Sequence, residues 1–560
     1  MITTRLLPLS TLSLSLFVSG LTAATYQVVE LGSKDEGVYS YANAISEQGQ
    51  VAVTVQSPFN PVIDLELLNL EENETLQGLL DDPEAVMNGN ISSTDLAIIY
   101  NYLKSDSLRN NPLFQKIGNY EGHLADSQGS DPVVAFDVVE PSLGELTGST
   151  DLYLFDVNAN GISVGSASAP YRKIDYVNEA EDNITFVVRD FSRRGFVKLD
   201  NQVVELEPTD SSLGGRSDAR AISDNLLVAG FMTIEAGTTV EDAVERCEDE
   251  EIRGDIPEEV CKNNAVTNLT GNASLDSFYK SRAAIWALDS EGNILETRTF
   301  GLLFEPASDD TNLYGSYALD INDQGVAVGQ ASHRYRDTDS VTSFAAVFHG
   351  EDQVSGFIDD QEYIGSTALG INNHNQVVGH ATKTINGYRR SKFYVYDFDE
   401  QSLTFPADFF PGSASVARAI NDNGLVVGEG EVETVIGNSV RRRHAFIYDH
   451  NEQSFQDLND LVACNSPYTL VQGNDINNAG EIAATAVVTR ARLDITGEPI
   501  LDEAGNQIME DAVVAVKLVP VPGGEIDNCE LEEPKTERQG AGLGWFMLAL
   551  LGFAGIRRKN

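Results

Sequence analysis

Asp156, Asn158, Asn160 and Gly161 stand at alternate positions closed by a glycine, the oxygen-ligand spacing that opens a calcium loop. Such a loop needs a bidentate carboxylate at its twelfth position, and the chain places Ala167 there. A fainter echo, Met87-Asn88-Gly89-Asn90-Ile91-Ser92-Ser93-Thr94-Asp95, precedes a helical pattern, but Val86 occupies the place of an oxygen ligand. Neither segment is read as a metal site, no cofactor is expected, and calcium binding elsewhere among the surface carboxylates stays open. The histidines (His123, His333, His349, His374, His380, His444 and His450) show no HExxH and no ligand spacing, so they read as surface or strand-end residues. No G-x-S-x-G elbow, P-loop or CxxC occurs, which leaves serine nucleophile, phosphate cradle and redox dithiol without a signature. Arg441-Arg442-Arg443 reads as a solvated strand start offsetting local acid. The pattern provides no catalytic residue.

The charge balance narrows the partners. The 560 residues carry 37 Lys+Arg against 86 Asp+Glu, a net charge of −49, so nucleic-acid phosphate and anionic membrane surfaces are repelled. With 42% hydrophobic residues there is material for a large core. Four cysteines are too few for a disulfide-dense array. Proximity favours Cys247 with Cys261 and Cys464 with Cys529, and the two other connectivities remain open.

Both ends read as processing signals. Residues 1–24 hold one cation, Arg5, an apolar run from Leu6 to Leu21 and the small Thr22-Ala23-Ala24, the pattern of a secretory signal peptide cut after Ala24. The alternative, an uncleaved anchor, is opposed by Pro8, Ser10, Ser13 and Ser15 in a short run. After a linker over 531–539, residues 540–560 combine Gly540, Gly542 and Gly544, an apolar stretch from Trp545 to Ile556, and Arg557-Arg558-Lys559. That order resembles the GlyGly-CTERM sorting tail of Gram-negative bacteria, though with Gly-Ala-Gly in place of a glycine run. The resemblance implies transient inner-membrane anchoring and cleavage near Gly540–Gly542 by a rhomboid-like protease (rhombosortase). Type II secretion to the cell surface or medium would follow. A plain C-terminal membrane anchor is the alternative.

Between the ends, one motif recurs seven times. Ile45, Val157, Ile222, Ile321, Ile371, Ile420 and Ile476 are each followed by Asn or Ser. Four places on stands Gly49, Gly161, Leu226, Gly325, Asn375, Gly424 or Gly480. Eight places on stands Gly165, Gly230, Gly329, Gly379 or Gly428, with Val53 and Ala484 in the outer copies. Each copy reads as a β-hairpin: an apolar strand, a turn whose glycine or Asn accepts positive φ, and a returning strand with glycine at a close backbone approach. A second strand pair follows each copy, as in Ala445–Leu458. Four strands per unit predict an all-β, seven-bladed β-propeller over 25–530. The last copy lacks a fourth strand, and Tyr26–Leu31 is expected to supply it and close the ring. Two stretches break the rhythm: about 64–126, with helical spacing and Ser93 or Thr94 as a helix cap, and about 235–277, acidic and carrying Cys247 and Cys261.

The repeats, the helical insertion, the signal and the tail together resemble a secreted proteobacterial family with HAF-type extracellular repeats, catalogued as a domain of unknown function. The resemblance implies no activity. Two functions fit. One is a non-enzymatic surface or extracellular module binding a protein or glycan, and it is preferred. The other is a carbohydrate-active enzyme using carboxylates at the ring's mouth. They are separated by whether acidic or histidine side chains converge in one pocket.

Overall fold

The computed structural model describes residues 25–527 except 201, 271–274 and 435–440. Ala24, Gly540, Gly542, Cys529, the signal and the tail lie outside the described residues. Each motif copy folds as expected from its turn chemistry. In Asn421–Leu425 the Asn421 N–H donates to the Leu425 carbonyl (3.0 Å) and the Gly424 N–H to the Asn421 carbonyl (3.0 Å), with Gly424 at φ +78°. Leu226 takes the same left-handed position at φ +60°, a conformation that costs a β-carbon residue strain.

The hairpins build seven four-stranded antiparallel sheets arranged as a ring, a seven-bladed β-propeller. The first strands, nearest the axis, are Gly37–Ile45, Leu152–Val157, Ser217–Ile222, Ser316–Ile321, Gly365–Ile371, Ser415–Ile420 and Tyr468–Ile476. Every one of the seven anchor residues is buried, between 3% and 7% exposed. Most inner strands carry a bulge just before the anchor, as between Ala417 and Ala419. The repeated glycine at the eighth place has a steric cause. A Cβ on Gly428 would lie 2.0 Å from the Val416 carbonyl oxygen, and one on Gly329 1.9 Å from that of Tyr317. Apolar side chains fill the gaps between sheets, as where Val427 and Ile447 of blade six meet Leu470, Ala484 and Val514 of blade seven.

Blade seven is completed across the chain's ends. Tyr26–Glu30 pairs antiparallel with Met509–Pro520, setting Val28 opposite Leu518 and Glu30 opposite Val516, and Leu31 behind it is fully buried. Pairing consumes the open edge of that sheet.

The additions sit between second and third strands. In blade one, helices Leu65–Leu68, Glu74–Gln77, Pro83–Met87 and Ser93–Leu103 fill the insertion, but Tyr120–Ala125, expected inside it, is the blade's third strand. Ser92, not Ser93 or Thr94, caps the last helix, its Oγ accepting the Asp95 N–H at 3.1 Å. In blade three, Thr238–Glu248, Glu250–Arg253 and Glu258–Thr270 form the acidic insertion, tied by the Cys247–Cys261 disulfide. Blade two adds a hairpin, Arg172–Val177 with Asn183–Val188, that the repeat pattern did not reveal. Its Phe186 and Val188 pack on Val260 of the acidic insertion, while Tyr171 and Val187 pack on Leu67 of the first. The three additions share one side of the ring.

Candidate functional site

At the end of the axis opposite those additions, the seven turns surround a depression of about 180 Å³. Acidic side chains do converge there: Glu47, Asp224, Asp320, Asp323, Asp422 and Asp475 line it. What these carboxylates can do depends on what already holds them.

The floor is set by the residue before each anchor, which is Asp in blades two, four and seven and Ala or Gly elsewhere. Each of these Asp side chains accepts two backbone N–H groups, one from its own anchor and one from the next blade's. Asp156 takes Val157 (2.7 Å) and Ile222 (2.8 Å). Asp320 takes Ile321 (2.8 Å) and Ile371 (2.7 Å), and Asp475 takes Ile476 and Ile45 (both 2.8 Å). Desolvation outweighs these N–H bonds and pushes Asp156 up to about 6, while desolvation and the charge of Asp156 push Asp475 up to about 7. Asp320 is raised well above the usual carboxylate range by the same causes.

One level out, Asn158, Asn322, Asn372, Asn421 and Asn477 are buried, and each donates its Nδ2 to the matching carbonyl of the next blade, at 3.0–3.2 Å. Each side-chain oxygen accepts N–H groups of its own turn, as Asn421 does from Asn423 (3.1 Å) and Leu425 (2.9 Å). Ser46 and Ser223 are too short to cross and accept only within their turns, from Gln50 and Leu227. At the rim, the next side chain round accepts the neighbouring blade's N–H: Asp224 from Ala159 (2.9 Å), Asp323 from Asp224 (2.9 Å), Asp422 from Asn373 (2.8 Å), and Glu47 from Asn478 (3.2 Å). Ala159 has no acceptor for the following place, so the rim is broken between blades one and two. The mouth is a three-tier set of blade-to-blade bonds.

The other sequence candidates do not join it. None of the histidines lines the depression. His123 is buried against Ser130 Oγ (3.0 Å), His444 Nδ1 meets Asp457 Oδ2 at 2.6 Å, and desolvation lowers His380 to about 4. The Asp156–Gly161 segment is the blade-two turn, and Ser92 and Asp95 of the second echo are spent on a helix cap. Among the described residues no group of three His, Cys, Asp or Glu could hold a metal ion. The basic run does offset local acid at a strand start, with Arg442 exposed and paired with Glu433 at 2.6 Å and Arg443 reaching the buried Glu429 at 3.3 Å, while Arg441 is the less solvated member, 8% exposed and ion-paired with Glu431 at 2.7 Å. Cys464 is disulfide-bonded, its expected partner Cys529 lying outside the described residues. No helix among the described residues is long and apolar enough to cross a membrane. Of the floor carboxylates, sequence reasoning weighed Asp156 only as a calcium ligand and missed Asp320 and Asp475; their signal was Asp directly before the anchor in three of seven copies.

A ring of seven blades stapled at a polar axial mouth defines the class: a β-propeller. The chain belongs to the family described as "Protein of unknown function (DUF3466)", which matches residues 5–559. No curated protein matches it. Among solved structures it is similar to a puromycin hydrolase (10% identity, TM-score 0.34), covering 66% of this chain and 46%, less than half, of that one. It is also similar to the β-propeller domain of the Trilobed protease from Pyrococcus furiosus (10% identity, TM-score 0.33, covering 80% and 91%). A third is the polysaccharide lyase Uly1 (9% identity, TM-score 0.34, covering 67% and 78%). At these scores no activity transfers from any of them.

Proposed function

We propose that this protein is an exported, non-enzymatic binding module that presents a rigid propeller to a glycan or protein ligand outside the cytoplasm. The observation that carries the reading is the occupancy of the mouth's carboxylates. Asp156, Asp320 and Asp475 each accept one backbone N–H on either carboxyl oxygen, so both oxygens are committed to blade junctions and neither is free to face a substrate. Propellers host both binding and catalysis, so the site and not the fold decides. Export rests on the residue patterns at the two ends and on the Cys247–Cys261 disulfide, which persists in oxidising compartments. In this reading signal peptidase cuts after Ala24, the tail anchors the chain transiently in the inner membrane, a rhomboid-like protease cuts near Gly540–Gly542, and type II secretion delivers the protein. A glycan array and pull-down with the exported protein test the reading. Specific capture without chemical change supports it, and a modified ligand overturns it.

One observation favours the alternative, a carbohydrate-active enzyme acting at the mouth: carboxyls raised to about 6 and 7 at Asp156 and Asp475 titrate where a general acid works. Product release abolished by Asp156→Asn without loss of stability would establish it.

A further inference from the structure

Where the blade-two hairpin meets the acidic insertion there is a cavity of about 350 Å³. That is within the roughly 300–1,000 Å³ range of ligand pockets. Its walls come from places far apart in the chain: the foot of the hairpin around Asp190, the turn Ser211–Gly214 ahead of blade three's first strand, and the helix Glu258–Thr270. The walls are fixed in advance of any ligand. Asn263 Oδ1 accepts the Arg189 N–H at 3.1 Å and ties helix to hairpin. Arg194 Nη2 donates to the Gly214 carbonyl and Tyr279 Oη to the Ser212 carbonyl, both at 2.6 Å, and these bonds hold the turn. The turn is also strained, with Leu213 at φ +48°. Such strain persists only where packing over-determines it, and it collects at ligand clamps.

Two of the cavity's cations are spent elsewhere: Arg189 donates to the Ser149 carbonyl, and Lys262 pairs with Glu258 at 2.6 Å. A small mixed set remains. Arg172 and Asp190 meet at 2.9 Å through Nε and Oδ1 alone, which leaves the Arg172 Nη groups and Asp190 Oδ2 without a partner among the described residues. The Ser211 hydroxyl, Asn263 Nδ2 and the Glu259 carboxylate are unpartnered there too. These groups are accessible: the side chains of Arg172 and Asp190 are 43% and 61% exposed, and Ser211 and Glu259 are exposed. Val188, Val244 and Val266 supply the apolar part of the wall.

One open cation beside two open carboxylates offers an anion no net attraction, and the chain's charge of −49 repels it. A hydroxyl both donates and accepts, so adjacent hydroxyls on one ring satisfy a guanidinium or amide with lone pairs and a carboxylate with a proton. The C–H face of such a ring has the valines to lie on. Resting on the binding-module reading, we infer that this cavity is a subsite for a neutral sugar residue of a glycan, its hydroxyls shared among Arg172, Asp190, Asn263 and Glu259.

Calorimetric titration of the exported protein with lactose, maltose, cellobiose and diacetylchitobiose tests this, with a galacturonate disaccharide as the charged comparison. Binding of at least one neutral disaccharide is expected, little changed by salt and tighter than that of the charged one. Asp190→Ala lowers its affinity about tenfold, because a hydrogen bond to a charged group is lost. Ser211→Trp fills the cavity and abolishes binding. Both positions are exposed, so both variants melt as the wild type does. Neutral sugars that all fail to bind, that bind more weakly than the charged one, or that bind both variants as tightly as the wild type, overturn the subsite. If both variants still capture a ligand found on the array, the subsite fails while the binding-module reading stands.

Discussion

Asp475 of the last blade accepts the backbone N–H of Ile45 of the first at 2.8 Å, joining positions 430 residues apart. Asn477 Nδ2 donates to the Ser46 carbonyl at 3.1 Å beside it, and Arg490 donates to the Val38 carbonyl on the far side of the same seam. The ring's closure therefore has two components, a β-strand at the outside and polar staples at the axis.

The outer component predicts that deleting residues 25–32 opens blade seven. Tyr26–Glu30 leaves an unpaired edge on Met509–Pro520, and buried Leu31 leaves a void. A melting temperature lower by well over 5 °C is expected, and Leu31→Ala alone should cost about 3 kcal/mol in chemical denaturation. A deletion that melts like the intact protein would refute the role of the strap.

The Asn tier predicts a cost at each junction. Asn421→Ala removes the bond to the Asn477 carbonyl and strands the N–H groups of Asn423 and Leu425 inside the turn. A loss of about 3 kcal/mol is expected. The exposed Asn451→Ala, which touches only the outside of the same turn, should cost far less.

Acidification should tighten the mouth. Burial pushes Asp156 and Asp475 up to about 6 and 7, well above the usual carboxylate range, so the folded state holds protons that the unfolded chain has released. Their unfavourable contribution is fully present above pH 7 and fades as pH falls towards 4. The melting temperature should rise between pH 8 and pH 5.5, and rise less in Asp156→Asn/Asp475→Asn. An equal rise in the double variant would remove these two groups as the cause.

The disulfide predicts a local effect. Cys247 and Cys261 are 14 residues apart, and a loop of that size is worth about 3 kcal/mol of unfolded-chain entropy. The Cys247→Ser/Cys261→Ser variant should be cut by protease within 238–270 while the blades stay resistant. Loss of the whole ring at once would show that the insertion supports the propeller.

The parts of the fold that were legible are those in which one residue has one local reason. The seven anchors are buried because each ends an inner strand, and Gly424 or Gly428 is readable because a turn or a carbonyl excludes a side chain. Leu226 occupied a position that its type argues against, and only the pattern of its neighbours carried it. The site was less legible because its meaning is created by closure. Asp156, Asp320 and Asp475 are visible before their anchors, yet their second N–H partner belongs to another blade. Asp190 and Glu259 likewise line one cavity only when the blade-two hairpin meets the acidic insertion, and no spacing along the chain encodes that. The blade-two hairpin, whose Ile174 and Phe186 face the acidic insertion, hid because it has no counterpart in the repeat.

The most direct measurement pairs ligand capture with product release, at pH 5.5, for the wild type and for Asp156→Asn/Asp320→Asn/Asp475→Asn, using the glycans selected on the array. The account predicts capture by both proteins, product from neither, and a lower melting temperature in the variant, because the three carboxyls hold blades together. Product released by the wild type and lost in a variant that melts at the same temperature would contradict it.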